Sequence, residues 1–203
     1  MPERARQVVL ASANPGKQRE FAALLGAHGI ELLLQTTIGI ASVAESGASF
    51  EENALLKARH AAKLSGLPAL ADDSGLEVDA LGGRPGIHSA RYAGKSAGDQ
   101  DNNAKLLAEL GGVPTAARTA RYRCVLALVR NPTDLTPLLA NGSWDGSIAL
   151  APEGKQGFGY DPLFIPQGMR RSAAQLPAEL KNRLSHRGQA LANLLQQLTQ
   201  VRW

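Results

Sequence analysis

Short apolar runs alternate along the chain with longer segments in which apolar residues recur at helical spacing. The apolar runs predict strands over Gln7–Ser12, Glu31–Gln35, Leu67–Asp72, Leu76–Leu81, Ala120–Arg130, Leu135–Asn141 and Ser147–Leu150. Helical spacing predicts helices over Lys17–Gly29, Ser49–Ser65, Asp99–Leu110, Ala173–Asn182 and His186–Gln200. Because strands and helices intermix throughout, the pattern predicts an α/β fold with an antiparallel portion over about residues 120–150.

The second predicted helix has the clearest start signal. Ser49 and Glu52 form an S-x-x-E capping box before an apolar pattern. Glu51 and Glu52 lie in its first turn, where the helix dipole favours acidic side chains. Glu45 has no such explanation, since it stands alone in a loop beside Gly47.

Length and composition limit the class of protein. The 203 residues predict one domain, residues 1–203, in which 44% hydrophobic residues suffice for a proper core. The net charge of +4 comes from 22 basic and 18 acidic residues, which is too balanced for a nucleic-acid binder. Cys124 is the only cysteine, so a disulfide within the chain and a cysteine-based zinc site are excluded, and we expect it to be buried.

The sequence contains no apolar signal core near its N-terminus and no apolar stretch approaching the ~18 residues that span a membrane. We therefore expect a cytoplasmic protein with no membrane partner.

The segment 71–94, ADDSGLEVDALGGRPGIHSARYAG, carries the most information. The apolar run Leu67–Ala71 leads into Asp72 and Asp73, as in a buried strand that ends in a carboxylate-bearing loop. Carboxylates at the end of a strand suit a hard cation such as Mg2+. A solvated acidic turn has the same local sequence.

The segment SANPGKQRE (Ser12–Glu20) places a glycine-containing loop between a strand and a helix. Helix N-termini bind phosphate because their first N–H groups lack partners. Ser12 and Asn14 can donate hydrogen bonds, and Lys17 supplies a mobile positive charge. The G-x-x-x-x-G-K-[ST] pattern is absent, and an ordinary turn with a surface lysine remains an alternative.

The segment FGYDP (Phe158–Pro162) places two aromatic residues around a glycine in a chain with only 4% aromatic residues. Such a loop can stack on a planar base and read its edge. A buried aromatic anchor beneath a loop is the alternative.

Ser185, His186 and Arg187 begin the last predicted helix, with Lys181 just upstream. Ser185 is a typical N-cap, whereas the two basic residues lie at the end of the helix that the dipole disfavours for cations. An anionic or polar ligand nearby would offset that cost. A Ser/His/Asp triad has little support because the G-x-S-x-G elbow is absent.

In this order, several segments resemble the noncanonical purine nucleoside triphosphate pyrophosphatases, also called inosine triphosphate or dITP/XTP pyrophosphatases. They are Ser12-x-Asn14-x-x-Lys17-x-x-Glu20, FEENALLKARHAA, ADDSGLEVDALGGRPGIHSARYAG, FGYDP and SHRGQAL. The resemblance spans residues 8 to 198. Ala13 is a departure, since many members carry glycine there, but the contact assigned to this position is a backbone one.

The resemblance implies Mg2+-dependent hydrolysis of a nucleoside triphosphate to the monophosphate and pyrophosphate, with hypoxanthine and xanthine as preferred bases. It also implies a homodimer. Each protomer would be an elongated mixed β-sheet flanked by helices, in two lobes with the active site in a central cleft.

Carried onto this chain, the resemblance assigns three sets of side chains. Glu45 and Asp73 would hold Mg2+, and Asp73 would also accept the proton of the water that attacks the α-phosphorus. Ser12, Ala13, Asn14, Pro15, Gly16 and Lys17 would bind the triphosphate, and Ser74 and Lys181 would contact phosphate or sugar. Phe158, Gly159, Tyr160, Asp161, His186 and Arg187 would hold the purine.

The groups at purine C6 explain how such a site would select its base. Hypoxanthine and xanthine present a carbonyl there, whereas adenine presents an amino group. A donor such as Arg187 facing C6 would be left unpaired when ATP is bound. The loss of such a hydrogen bond can favour ITP and XTP over ATP by about four to five orders of magnitude. Guanine shares the C6 carbonyl, so the exclusion of GTP requires a separate feature near C2.

Two alternatives remain besides this enzyme. A nucleotide-binding module without catalysis would lack the acid pair, but Glu45 and Asp73 are both present. A hydrolase of the same architecture could act instead on a modified pyrimidine or a standard deoxynucleotide, and a substrate panel would separate the two.

Overall fold

The computed structural model of the chain describes residues 6–25 and 30–201. The strands in these ranges are β1 (Arg6–Leu10), β2 (Ile30–Leu34), β3 (Ala69–Val78), β4 (Thr119–Val129), β5 (Leu138–Ile148) and β6 (Phe164–Pro166). The α-helices are α1 (Pro15–Leu25), α2 (Phe50–Ser65), α3 (Asp99–Glu109), α4 (Ala178–Leu184) and α5 (His186–Leu198). Short 3-10 helices cover Asp79–Leu81, Gly86–Arg91, Thr115–Ala117 and Ala173–Gln175. Residues 26–29, which the first predicted helix included, lie outside the described residues.

The strands of the described ranges form one sheet in the order β2-β1-β3-β4-β5-β6. β1 runs parallel to β3, with Leu10 opposite Leu70, and also parallel to β2. β6 runs antiparallel to β5, with Ser147 opposite Ile165. Helices are interspersed with these strands along the chain, so the predicted mixed α/β fold is confirmed.

β3 differs from the sequence prediction of two strands with a loop between them. It is one strand of ten residues, and Asp72, Asp73 and Ser74 lie in its middle. Most of its positions are buried, as expected for a strand with neighbours on both sides in the sheet. The turn tendency of the D-D-S-G sequence is therefore overridden by its place in the sheet, where Ala69 and Leu70 of β3 pair with β1 and the strand is hydrogen-bonded to β4 on its other side.

β5 also joins two predicted strands. The segment 142–146 was expected to connect these two strands, but it continues the strand, and Ala140, Gly142 and Trp144 are buried at alternate positions. The predicted helix Ala173–Asn182 is instead divided before α4. Pro177 causes the division, because the residue before a proline avoids helical angles, and Leu176 has φ −86° and ψ 144°.

The chain divides into two compact units. The first contains the described residues up to Asp73, together with Val125–Asn141 and the described residues from Ala190 onward. The second contains Ser74–Cys124 and Gly142–Gln189.

The core of the first unit joins α2 to the sheet. Its buried members are small or β-branched: Val9, Ala11, Ala54, Ala58, Ala61, Ala62, Ala69, Ala71, Val125, Ala127 and Val129. Because alanine side chains are short, they allow the backbone of α2 to approach the sheet closely. The polar side chains at the edge of this alanine stripe are thereby brought next to the carboxylates of β3.

The core of the second unit is richer in aromatic residues. The ring of Phe164 lies 4.7 Å from that of Tyr122 and 5.3 Å from that of Trp144, between ring centroids. Cys124 is fully buried, as predicted. This core supports the FGYDP segment.

Within residues 6–25 and 30–201, the structure contains no helix with the length and apolar character needed to cross a membrane.

Candidate active site

The two adjacent aspartates of β3 contact different lysines. Asp72 Oδ2 lies 2.8 Å from Lys17 Nζ, and Asp73 Oδ1 lies 2.8 Å from Lys57 Nζ. Successive side chains of a strand point to opposite faces of the sheet, which explains the separate partners. The prediction that the strand ends in a carboxylate-bearing loop at Asp72 and Asp73 was wrong, because β3 continues to Val78.

Lys57 also contacts Glu45. Its Nζ donates to Glu45 Oε1 at 2.8 Å, so one ammonium joins the two carboxylates that the resemblance assigns to the metal. Asn53, one turn earlier in α2, donates from Nδ2 to Asp73 Oδ2 at 3.3 Å. The sequence indicated that Glu45 stands alone in its loop, whereas in the structure its carboxylate binds Lys57. We call Lys17, Glu45, Lys57, Asp72 and Asp73 the carboxylate–lysine cluster.

Burial and charge oppose each other in this cluster. Burial raises the pKa of Asp73 from its ordinary value, and the nearby Lys57 and Lys17 offset only part of that rise. Burial alone would lower the pKa of Lys57, but the carboxylates of Asp73, Asp72 and Glu45 together raise it. Lys57 is thus held in its charged form.

The loop before α1 is organised by Asn14. Its Oδ1 accepts hydrogen bonds from the backbone N–H groups of Gly16 at 2.8 Å and Lys17 at 3.1 Å, so Asn14 is the N-cap of α1. Pro15 occupies the first helical position, where it is favoured. Two of the N–H groups that were expected to face a phosphate therefore bind Asn14 in this structure.

The other residues of this loop differ in exposure. Ser12 is buried and accepts from the Asn14 N–H at 3.3 Å, whereas Ala13, Asn14 and Pro15 are exposed. The ammonium of Lys17 reaches Asp72 rather than extending into solvent. The alternative of an ordinary turn with a surface lysine therefore does not describe Lys17.

The donor set of Glu45 and Asp73 fits Mg2+. Both side chains offer carboxylate oxygens, and their contacts with a single ammonium show that two of these oxygens converge on one cation. In the part of the chain that the structure describes, no group of three or more His, Cys, Asp or Glu side chains is arranged to hold a metal. Two protein carboxylates are compatible with Mg2+, which usually completes its coordination with water and substrate phosphates.

The second unit contains the predicted base-binding residues. Phe158 is half-buried, and its ring centroid lies 5.0 Å from Lys181 Nζ and 5.6 Å from the Arg187 guanidinium carbon. Lys181 also forms an ion pair with Asp161 at 2.5 Å. We call Phe158, Asp161, Lys181, His186 and Arg187 the aromatic–cation cluster.

Asp161 organises the FGYDP loop from within. Its buried carboxylate accepts from the Phe158 N–H at 2.9 Å and from the Tyr122 hydroxyl at 3.4 Å, in addition to Lys181. A Cβ atom at Gly157 would collide with this carboxylate, and Gly157 has a φ of +78°, so glycine is required there.

The two aromatic residues of the loop have different roles. Tyr160 is 4% exposed and donates its hydroxyl to Ser89 O at 2.8 Å. It is therefore the buried anchor that was the alternative interpretation. Only Phe158 retains a partly accessible ring.

His186 and Arg187 are buried in the first turn of α5. The imidazole ring stacks on Tyr122, with 4.6 Å between centroids and 8° between planes. Arg187 is 2% exposed, and its Nη2 donates to Ser74 Oγ at 3.0 Å. Ser185 Oγ accepts from the Gly188 N–H at 3.2 Å, as a cap does.

Sequence reasoning missed Lys57 and Tyr122. Lys57 lies one turn after Asn53 in α2, and this polar pair beside an alanine stripe is the signal that could have found it. Tyr122 lies within the continuous pattern of β4, where nothing distinguishes it from a core residue.

The fold and these clusters define a class, namely mixed α/β proteins whose paired carboxylates and lysines suit a polyphosphate with its metal ion. The particular family follows from comparison with known proteins.

The model of the Ham1 family matches residues 8–197. A dITP/XTP pyrophosphatase of Methylococcus capsulatus is 58% identical over 193 residues, which are 95% of this chain and 96% of that protein. A dITP/XTP pyrophosphatase of Escherichia coli O157:H7 is 54% identical over 193 residues, covering 95% and 98%. The solved structure of a HAM1 protein from Coxiella burnetii is 47% identical and superposes with a TM-score of 0.88, covering 97% of this chain and 100% of that one.

This chain therefore belongs to the Ham1 family. The resemblance inferred from the motifs is confirmed.

Proposed function

We propose that this protein is a nucleoside triphosphate pyrophosphatase that hydrolyses ITP, dITP and XTP to the monophosphate and pyrophosphate. The observation that carries the proposal is that this chain is 58% and 54% identical, over 95% of its length, to dITP/XTP pyrophosphatases from two bacteria. Removal of deaminated purines from the nucleotide pool is the corresponding role.

The reaction requires one water and one proton acceptor. The water oxygen attacks the α-phosphorus, the bond from that phosphorus to the α–β bridging oxygen breaks, and pyrophosphate leaves with the bonding electrons. Asp73 would accept the proton of the attacking water through its carboxylate. Its burial and its hydrogen bonds from Asn53 and Lys57 support this role, because they fix the orientation of the carboxylate.

Glu45 and Asp73 would hold Mg2+. When bound, the ion supplies positive charge that stabilises the developing charge on the leaving pyrophosphate. Lys17 and Lys57 would add positive charge for the phosphates, and Ser12 and Asn14 would add hydrogen bonds. Ser74 and Lys181 would contact phosphate or sugar.

The aromatic–cation cluster would hold the purine. The half-buried ring of Phe158 provides a stacking surface, and its contacts with Lys181 and Arg187 leave two cationic donors beside that surface. A C6 carbonyl would pair with such a donor, whereas the amino group of adenine would not. His186, held by Tyr122, would complete the set of groups around the base.

A homodimer and a cytoplasmic location remain predictions from the resemblance and from composition. Size-exclusion chromatography with light scattering measures the first directly. A mass equal to that of one chain would contradict the dimer.

Pyrophosphate release tests the proposed function. Purified protein with Mg2+ at mildly alkaline pH is given ITP, dITP, XTP, ATP, GTP and dUTP in separate reactions. We expect rapid turnover of the first three and little turnover of ATP and GTP. Absence of turnover, or equal turnover of all six, would overturn the proposal, and preference for dUTP would support the alternative hydrolase.

A further inference from the structure

Helix α3 binds both backbone polar groups of Gly159 in the FGYDP loop. Asp99 Oδ2 accepts from the Gly159 N–H at 2.6 Å, and Asn103 Nδ2 donates to Gly159 O at 3.0 Å. Asp99 and Asn103 are four residues apart in the helix, so they lie on one face, one turn apart. One helix therefore holds one loop residue at two points.

Gly159 is the residue of the FGYDP segment whose backbone lies in the left-handed region. Its φ is +63°, in the left-handed region, although an added Cβ would meet no atom within 4 Å. Glycine is thus required by the backbone angle and not by lack of space, and glycine loses more conformational freedom on ordering than any other residue. The two bonds from α3 offset that cost.

Gly159 lies between residues of the aromatic–cation cluster, which would hold the base. Phe158 precedes it, and the Phe158 N–H donates to Asp161. A change in the Gly159 backbone would therefore move the phenyl ring relative to Lys181 and alter the hydrogen bond to Asp161.

Asp99 has little to contribute to the core. It is exposed, so its replacement leaves no cavity. Asp101 is a second acidic residue in the same first turn of α3. The carboxylate of Asp101 accepts instead from the Gly98 N–H at 2.9 Å. The two acids therefore have the same charge and the same relation to the helix dipole but different contacts.

We propose that Asp99 and Asn103 are positioning residues for the purine end of the substrate and act through Gly159. The inference rests on the proposed function, because it requires that the FGYDP loop contact the base. Neither residue touches the reacting atoms, so their loss should affect substrate binding more than the chemical step.

A small set of variants isolates the two contacts. Asp99→Ala removes the acceptor, Asp99→Asn keeps a neutral acceptor, and Asn103→Ala removes the donor. Asp101→Ala is the control, since it removes the same charge from the same turn, and with it the acceptor of the Gly98 N–H, without removing either contact with Gly159.

The first readout is hydrogen exchange of the Gly159 amide in the full chain. We expect exchange at least about tenfold faster in Asp99→Ala than in Asp101→Ala, with Asp99→Asn between Asp99→Ala and wild type. This readout does not depend on any activity.

The second readout is steady-state kinetics with ITP and XTP, with inorganic triphosphate as an inhibitor that has no base. We expect Asp99→Ala and Asn103→Ala to raise KM about tenfold, with kcat within about twofold of wild type. Inhibition by inorganic triphosphate should not change, because the carboxylate–lysine cluster is untouched. Asp99→Asn should have a KM between those of wild type and Asp99→Ala.

Each outcome decides one claim. Unchanged exchange in Asp99→Ala would overturn the contact with Gly159. Faster exchange with an unchanged KM would overturn the positioning role. Wild-type protein that shows no ITP turnover would refute the proposed function, and the exchange result would still decide whether α3 holds the loop.

Discussion

Lys57 is the side chain that joins the two carboxylates of the candidate metal site. Its Nζ lies 2.8 Å from Glu45 Oε1 and 2.8 Å from Asp73 Oδ1. Lys57→Met keeps most of the aliphatic stem and removes the ammonium. The variant therefore tests the charge at this position with little change in packing.

The loss of stability follows from the two bonds and their exposure. A hydrogen bond between charged groups contributes about 1.5–3 kcal/mol to the free energy of unfolding. The Asp73 side chain is 6% exposed, so its bond with Lys57 contributes nearly the full amount to the free energy of unfolding. The Glu45 side chain is 25% exposed, so its bond with Lys57 contributes less. We expect a total loss of about 3 kcal/mol, which corresponds to about 6–12 °C in Tm for a chain of this length.

The assay is thermal unfolding at pH 7 with EDTA, for wild type, Lys57→Met and the control Lys63→Met. Lys63 lies on the same helix and is exposed, so its replacement should change stability by less than about 0.5 kcal/mol. The series is then repeated with millimolar Mg2+. Because the variant has lost the competing ammonium, we expect Mg2+ to raise its Tm by more than it raises that of wild type.

Two results would refute this reasoning. A Tm of Lys57→Met within about 2 °C of the Lys63→Met value in EDTA would mean that the ammonium does not stabilise the carboxylate pair. Equal Mg2+ shifts in wild type and Lys57→Met would mean that the ion does not compete with Lys57 for Glu45 and Asp73.

Three further substitutions test other parts of the molecule. Asp73→Asn should fold and lose at least about 100-fold in kcat for ITP, because an amide cannot accept the proton of the attacking water. Gly157→Ala should raise KM for ITP about tenfold in steady-state kinetics, because the methyl group displaces the Asp161 carboxylate. Asp134→Ala should lower the free energy of unfolding in urea at pH 7 by about 2 kcal/mol, since Asp134 accepts from Arg130 Nε at 2.9 Å and from the Arg130 N–H at 3.0 Å. The hydrogen-bonded Arg130 guanidinium lowers the pKa of Asp134, so wild type should lose this stability as the pH falls below about 4, and the variant should not.

Different results would count against each prediction. Retained turnover in a folded Asp73→Asn protein would remove Asp73 from proton transfer. Wild-type kinetics in Gly157→Ala would mean that the position of Asp161 does not affect substrate binding. Parallel stability profiles of wild type and Asp134→Ala between pH 5 and pH 2 would mean that Asp134 is not the source of acid sensitivity in that range.

Elements with strong local signals could be predicted from the sequence. α2 begins after Ser49, whose Oγ accepts from the Glu52 N–H at 3.1 Å, and it ends before Gly66, which has φ +69°. Even here one detail differed, because the Glu52 carboxylate accepts from the Ala48 N–H instead of completing a reciprocal box with Ser49. Caps are predictable because the groups that form them are close in sequence.

The course of β3 could not be predicted, because its cause is not local. Aspartate, serine and glycine in succession favour a turn in an isolated chain. β3 is hydrogen-bonded to β1 at its start, through Ala69 and Leu70, and to β4 on its other side, and this pairing decides the conformation. The assignment of the metal ligand depends on that result, because only a strand sends Asp72 to Lys17 and Asp73 to Lys57 on opposite faces.

The same reason explains why the sequence did not point to Lys57, although it singled out Glu45 and Asp73. The two acids belong to motifs with a recognisable family pattern, whereas Lys57 is one of two lysines on an amphipathic helix. Its importance comes from the fully buried alanines beside it, which bring this face of α2 against the sheet. A lysine at the edge of a stripe of small residues is therefore a stronger candidate for a charged site than one beside large apolar side chains, since small residues bring the ammonium within reach of the sheet. Lys63 provides the contrast, because it lies further along the same helix, is exposed, and should be replaceable without effect.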